Sequence, residues 1–275
     1  MYRRKFLRGL VTAGAALALL AGVTAPAEAA LLDEVSGNGH GTIFRAAGSN
    51  FGVPLLARFQ YHFTGGDHHI RQVSAMPLPQ QIGVEVAFAD ENGDDDYGYR
   101  VSTEHVDATG VVQASFHGTC VGQCSAFLFT RPAADVVFVL QGFRVTFENG
   151  DHHLDKIGVQ EDNGILTTTF RDNNGDDPFT YDVSYAWVPR SRFGVITETS
   201  SAVHASGLAT PAAFAGEKVI RGFSMDNLNT GDSGDNHIRD LGVVATANNF
   251  EIRYGDDDPR NSADWRYLVR YGVVF

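Results

Sequence analysis

The tetrapeptide Gly-Asp-His-His at residues 66–69 returns letter for letter at 150–153, and a degenerate form, Gly-Asp-Asn-His, occupies 234–237. Asp67, Asp151 and Asp235 are therefore spaced 84 and 84 apart, as are His69, His153 and His237. A second block follows each first one: ADENGDDDYGYRV at 89–101, RDNNGDDPFTYDV at 171–183 and RYGDDDPRNSADWRYLV at 253–269. An aromatic in an apolar run precedes each, namely Phe59, Phe143 and Phe223. Two separate motifs recurring three times in the same order mark internal repetition, which constrains the fold more than any single residue does. The expected organisation is three tandem pseudo-repeats of about 80 residues, at 31–116, 117–200 and 201–275.

Within one copy the periodicity is that of strands. FRVTF, HLDKIGV, ILTTTF and FTYDVSY are short, rich in β-branched and aromatic residues, and separated by turn residues. Phe179, Tyr181, Val183 and Tyr185 fall on one face and Thr180, Asp182 and Ser184 on the other. Tyr97, Tyr99 and Val101, and Trp265, Tyr267, Val269 and Tyr271, repeat that face in the other copies. An aromatic stripe of this spacing, with valines between, reads as core rather than as a sugar-stacking platform. The predicted fold class is all-β, each repeat a small antiparallel β-sandwich-like module. A helical turn is expected only within TPAAFAGEK at 210–218.

Antiparallel succession of these four strands would bring the Asp-His-His turn and the Asp-rich turn of each copy to one end of the sheet. Asp67, His68, His69, Asp151, His152, His153, Asp235 and His237 are thus candidate ligand-binding residues. Asn-Gly in a tight turn, and aspartates capping their own backbone, account for part of the pattern without any ligand. The Asp-rich turns also place hard oxygens on short loops. Asp90, Asn92, Asp94 and Asp95, with Asp172, Asn174, Asp176 and Asp177, are candidate calcium ligands. The pattern starts like an EF-hand loop but departs from it, since Val101 and Val183 stand where a closing glutamate would be. The third copy has Ile252 near the place of the first acid. Alternatively, His69, His153 and His237 meet on a threefold axis and bind a transition metal, for which three imidazoles suit zinc.

The first residues have the form of a targeting segment. A basic start, an apolar run of 13 and the small-residue stretch APAEAA predict a signal peptide over 1–29. Arg3-Arg4-Lys5-Phe6-Leu7-Arg8 resembles the bacterial twin-arginine export signal, with Tyr2 where that pattern usually has Ser or Thr. The resemblance implies export of an already folded chain, sometimes with its cofactor loaded, to the periplasm or beyond. Removing 1–29 takes the net charge from −12 to −15, which disfavours nucleic acid and anionic lipid as partners. No second apolar stretch approaches membrane-spanning length. The two cysteines, Cys120 and Cys124, are expected to form a disulfide in an oxidising compartment. Phosphate-binding glycine loops, His-Glu-x-x-His and Gly-x-Ser-x-Gly are absent from the sequence. Asp-His-His also names a family of manganese phosphoesterases, but these triplets are expected in β-hairpin turns, which the Asn-Gly pairs signal, and they degrade in the third copy. The functional expectation is an exported, acidic, triple-repeat binding or cell-surface structural module. Calcium is its candidate cofactor and a glycan or cell-envelope component its candidate partner. The rivals are a metal-dependent enzyme using Asp-His turns and an outer-membrane β-barrel, the latter suggested by the terminal RYGVVF.

Overall fold

A computed structural model of the chain describes residues 32–46, 52–64, 69–78, 83–90, 96–129, 131–132, 135–148, 153–172, 177–203, 207–211, 214–228, 237–246, 248–256 and 264–275. The expected signal peptide lies outside the described residues.

Eighteen strands occur among the described residues, beside one 3-10 turn at Arg190–Arg192. The first stretch of chain supplies β1 (Leu32–His40), β2 (Thr42–Ala46), β3 (Val53–Phe63), β4 (Ile70–Leu78), β5 (Gly83–Asp90) and β6 (Asp96–Val106). The second supplies β7 (Val112–Val121), β8 (Gln123–Phe127), β9 (Val136–Phe147), β10 (Leu154–Asp162), β11 (Ile165–Asp172) and β12 (Pro178–Pro189). The third supplies β13 (Phe193–Val203), β14 (Gly207–Pro211), β15 (Lys218–Asn227), β16 (Ile238–Ala245), β17 (Asn249–Asp256) and β18 (Trp265–Val274).

These strands form three six-stranded antiparallel sheets. Their orders are β1-β6-β3-β16-β17-β14, β2-β5-β4-β9-β12-β7 and β13-β18-β15-β10-β11-β8. Each sheet joins three strands from one stretch of chain to three from another. The junctions are β3–β16, β4–β9 and β10–β15. A self-contained sandwich per repeat is therefore not what the pairing gives, because every sheet is completed across a junction. The two layers of one stretch do pack face to face, as in a sandwich: Phe63 of β3 stacks on Phe88 of β5, and Phe147 of β9 on Phe170 of β11. The boundaries drawn at 116/117 and 200/201 fall inside β7 and β13. The chain passes from one stretch to the next through the turn at 107–111 and the 3-10 turn.

The alternating aromatic faces point inward, where Phe179, Tyr181, Val183, Tyr185, Trp265, Tyr267, Val269 and Tyr271 are all buried. Exposing so much aromatic surface would forfeit roughly 1.5–3 kcal/mol per large side chain, so these faces set the register. Asp162-Asn163-Gly164-Ile165 closes β10 on β11 as a two-residue hairpin, with positive φ at Asn163 (52°) and Gly164 (83°). That is the conformation an Asn-Gly pair adopts most readily. The other Asn-Gly signals were expected to mark hairpins as well. They do not: β9 and β10 lie in different sheets, as do β11 and β12. Asn-Gly encodes a chain reversal, not the identity of the pairing partner. The expected helical turn at 210–218 is also not formed among the described residues, since Thr210 and Pro211 end the edge strand β14, paired with β17. Cys120 and Cys124 are disulfide-bonded, tying the edge strand β7 of one sheet to the edge strand β8 of another across Gly122. No helix among the described residues is long and apolar enough to cross a membrane.

Candidate metal centre

The site grows out of the three junctions. At each one a phenylalanine lies opposite a small or β-branched residue of the neighbouring stretch: Phe59 opposite Val243, Phe143 opposite Ala75 and Phe223 opposite Val159. One residue bulges out of register just before each phenylalanine, at Ala57, Gln141 and Arg221. Bulges bend a strand and re-aim its side chains. The three rings meet in the interior with centroids 4.8, 5.0 and 5.1 Å apart, each fully buried. These are ordinary distances for interacting aromatic pairs.

From that triangle β3, β9 and β15 run to one end of the molecule, where the chain crosses to another sheet and begins β4, β10 and β16. The ends of β5, β11 and β17 and the starts of β6, β12 and β18 lie at the same end. Backbone hydrogen bonds Thr64 N–Asp96 O (3.4 Å), Glu148 N–Pro178 O (3.3 Å) and Leu228 N–Asp264 O (2.6 Å) fix one side of this arrangement. The pairs Ile70–Asp90, Leu154–Asp172 and Ile238–Asp256 fix the other. The strand ends that flank the two motif blocks therefore lie together, and between them the chain passes from one sheet to another instead of forming hairpins.

His69, His153 and His237 immediately precede β4, β10 and β16. Their rings converge, with centroids 4.7, 5.2 and 5.1 Å apart. One ligand nitrogen from each can be chosen so that all three lie within 4.8 Å of one another. His153 is 8% exposed and the other two are partly exposed. The Nε2 atoms of His153 and His237 are withdrawn from solvent. A second set of bulges follows each histidine, at Arg71, Asp155 and Arg239. The three imidazoles, whose meeting was one arrangement among several open in the sequence, are clustered in the structure.

Two acids of the Asp-rich blocks lie across from the strand starts that carry the triad. Asp90 and Asp172 close β5 and β11, directly across from the residues that follow His69 and His153, and their side chains are 3% and 2% exposed. Asp172 Oδ1 accepts a hydrogen bond from the His153 backbone N–H at 3.3 Å. Both aspartates, candidate calcium ligands on short loops by sequence, are buried at the ends of strands. Asp177 is partly exposed, next to the start of β12. The remaining sequence candidates, Asp67, His68, Asp151, His152, Asp235, Asn92, Asp94, Asp95, Asn174 and Asp176, lie outside the described residues. Phe59, Phe143 and Phe223 marked the repeats in the sequence, but nothing local showed that they would meet.

Three neutral imidazoles are a ligand set for a borderline transition-metal ion. A point equidistant from three nitrogens at the 4.8 Å limit lies about 2.8 Å from each. Zinc–imidazole bonds are about 2.0–2.1 Å, so small side-chain rotations would close the shell. The buried carboxylate of Asp172, bonded to the His153 backbone, makes the surroundings favourable to a cation. A tetrahedral ion held this way keeps a fourth position for water or a small ligand. No protein-family model matches the chain, and no curated protein is significantly similar to it.

Proposed function

We propose that this chain is an exported metal-binding protein in which three copies of one six-strand unit each donate a histidine to a single transition-metal ion. The observation that carries the reading is the convergence of His69, His153 and His237 to within 4.8 Å. The repeat reading is supported by the sheet orders. In each, the first, sixth and third strands of one stretch are followed by the fourth, fifth and second of another. The paired phenylalanine and histidine triangles support a threefold axis through the molecule. A twin-arginine leader suits such a product, since it carries chains already folded. The metal joins three stretches of chain that the sheets already interlock, so its first role is to bind and to stabilise. The binding or structural role is favoured over an enzyme. Calcium prefers oxygen ligands and is a poor match for three imidazoles.

The test is equilibrium dialysis of the metal-stripped mature chain, followed by elemental analysis. The reading expects one zinc per chain, retained in the presence of excess calcium and lost in His153→Ala. At a free zinc concentration about a hundred times the dissociation constant, binding would stabilise the fold by ~2.7 kcal/mol, seen as a higher melting temperature. Retention of zinc by His153→Ala at wild-type level, or no zinc retained at all, would contradict it.

A further inference from the structure

At the end of the strands away from the histidines lies a cleft of about 480 Å³ between two of the sheets. It is within the usual range for small-molecule sites. Four arginines and four acids line it, together with Asn163 and Trp187. Such a concentration of arginine is notable in a chain with a net charge of −12.

One lining residue marks a difference between the three stretches. The bulge that precedes each core phenylalanine carries Ala57, Gln141 and Arg221 in the three stretches, so only the third presents a cation. Gln141 donates to the Pro54 carbonyl and to Gln113, and is spent within the protein. Arg221 is anchored through Nε to the Phe138 carbonyl at 3.2 Å, and forms no ion pair with a carboxylate among the described residues. Arg190 likewise donates Nη1 to the Phe193 carbonyl at 2.8 Å and has no such ion pair. Arg270 is held by the Glu161 carbonyl (2.7 Å) and Glu198 (3.2 Å). Burial pulls the Arg221 guanidinium below its usual range. Glu161 opposes that pull, and the charges of Arg270 and Arg190 add to it. An anion between these guanidiniums relieves their mutual repulsion, and guanidinium forks match carboxylate geometry.

We propose that this cleft binds a small hydroxylated carboxylate, a sugar acid, with its carboxylate between Arg190 and Arg221. The equal number of acids in the lining disfavours a multiply charged phosphate. Glu161 and Glu198 offer acceptors to hydroxyl groups on the same molecule. The assignment is independent of the metal centre, since no cleft residue is shared with it.

Tryptophan emission provides the readout, because Trp187 lines the cleft. D-glucuronate, D-glucose and inorganic phosphate are titrated at constant ionic strength into the mature protein. A saturable emission change is expected with glucuronate and not with glucose. Arg221→Gln and Arg190→Gln should each weaken it about tenfold or more, with the far-ultraviolet circular dichroism unchanged. Arg190 is partly exposed in the 3-10 turn, whereas Arg221 sits in a bulge of the central strand β15, so the Arg190 variant keeps the test valid should Arg221→Gln fail to fold. A response to glucose equal to that for glucuronate, phosphate binding as tight as glucuronate, no saturable response, or an unaltered titration in Arg190→Gln would overturn the assignment. Zinc retention in the dialysis experiment is unaffected by any of these outcomes.

Discussion

Glu34 on β1 shows how single side chains fasten the outer strands. Its carboxylate accepts from Arg100 at 2.8 Å, Ser102 at 3.1 Å and Arg58 at 3.2 Å. Burial alone would raise its pKa, but the hydrogen bond and charge of Arg100, with Ser102 and Arg58 behind them, hold it below the ordinary carboxylate range. The folded state then releases the proton at a lower pH than the unfolded chain does. The resulting stability is complete above the unfolded carboxyl pKa and is lost as pH falls through the folded one. Because the group is largely solvent-accessible, Glu34→Gln should cost only about 0.5–1 kcal/mol at pH 7. Urea unfolding at pH 7 and near pH 3 checks this: the gap between variant and wild type should close at the acid end. A gap independent of pH would mean that packing, not charge, carries the effect. At this scale the sequence was informative about histidines and acids as a set, and silent about their partners. Asp90 and Asp172 read as turn acids because the repeat places them beside Asn-Gly, whereas their burial depends on which strand lies across from them.

Glycine has a specific task at the junctions between stretches. A Cβ on Gly142 would come within 2.3 Å of both the Ala75 carbonyl oxygen and Pro77 Cδ on β4. Backbone atoms cannot swing away, so β9 and β4 would have to separate. Gly164, in the β10–β11 hairpin, has nothing within 4 Å of its would-be Cβ, and only its φ of +83° opposes a side chain. Gly142→Ala should therefore destabilise by about 2–3 kcal/mol or more, in the range of overpacking. Gly164→Ala should cost about 1–2 kcal/mol, the strain of a left-handed residue. Chemical denaturation of the two variants orders them, and a neutral Gly142→Ala would argue against the β4–β9 junction. Strand positions and buried faces were legible in the sequence because alternation with period two reports burial directly. Sheet membership was not. Alternation fixes a face without naming a neighbour, and for that reason the strand pairs β9 and β10, and β11 and β12, read as hairpins though they lie in different sheets.

The interlocked sheets make the three stretches one unit of stability. Removing residues 193–275 would strip β1, β6 and β3 of their junction with β16, and β10, β11 and β8 of β15 and β18. The intact mature chain should therefore unfold in a single transition, with calorimetric and van't Hoff enthalpies in agreement. Residues 193–275 alone should show no cooperative melt. A stable isolated third stretch would show instead that each repeat folds as its own module. The 84-residue spacing pointed to repetition in the sequence, whereas closure of the chain around shared sheets was not readable there, since no local signal distinguishes a linear array from a closed one. The triad depends on that closure: histidines 84 residues apart meet only when the last stretch pairs with the first, through β16 and β3. X-ray absorption at the zinc edge tests this most directly, on protein loaded with one zinc per chain. Three imidazole nitrogens at about 2.0–2.1 Å are predicted. A shell dominated by oxygen, or containing a single imidazole, would contradict the account.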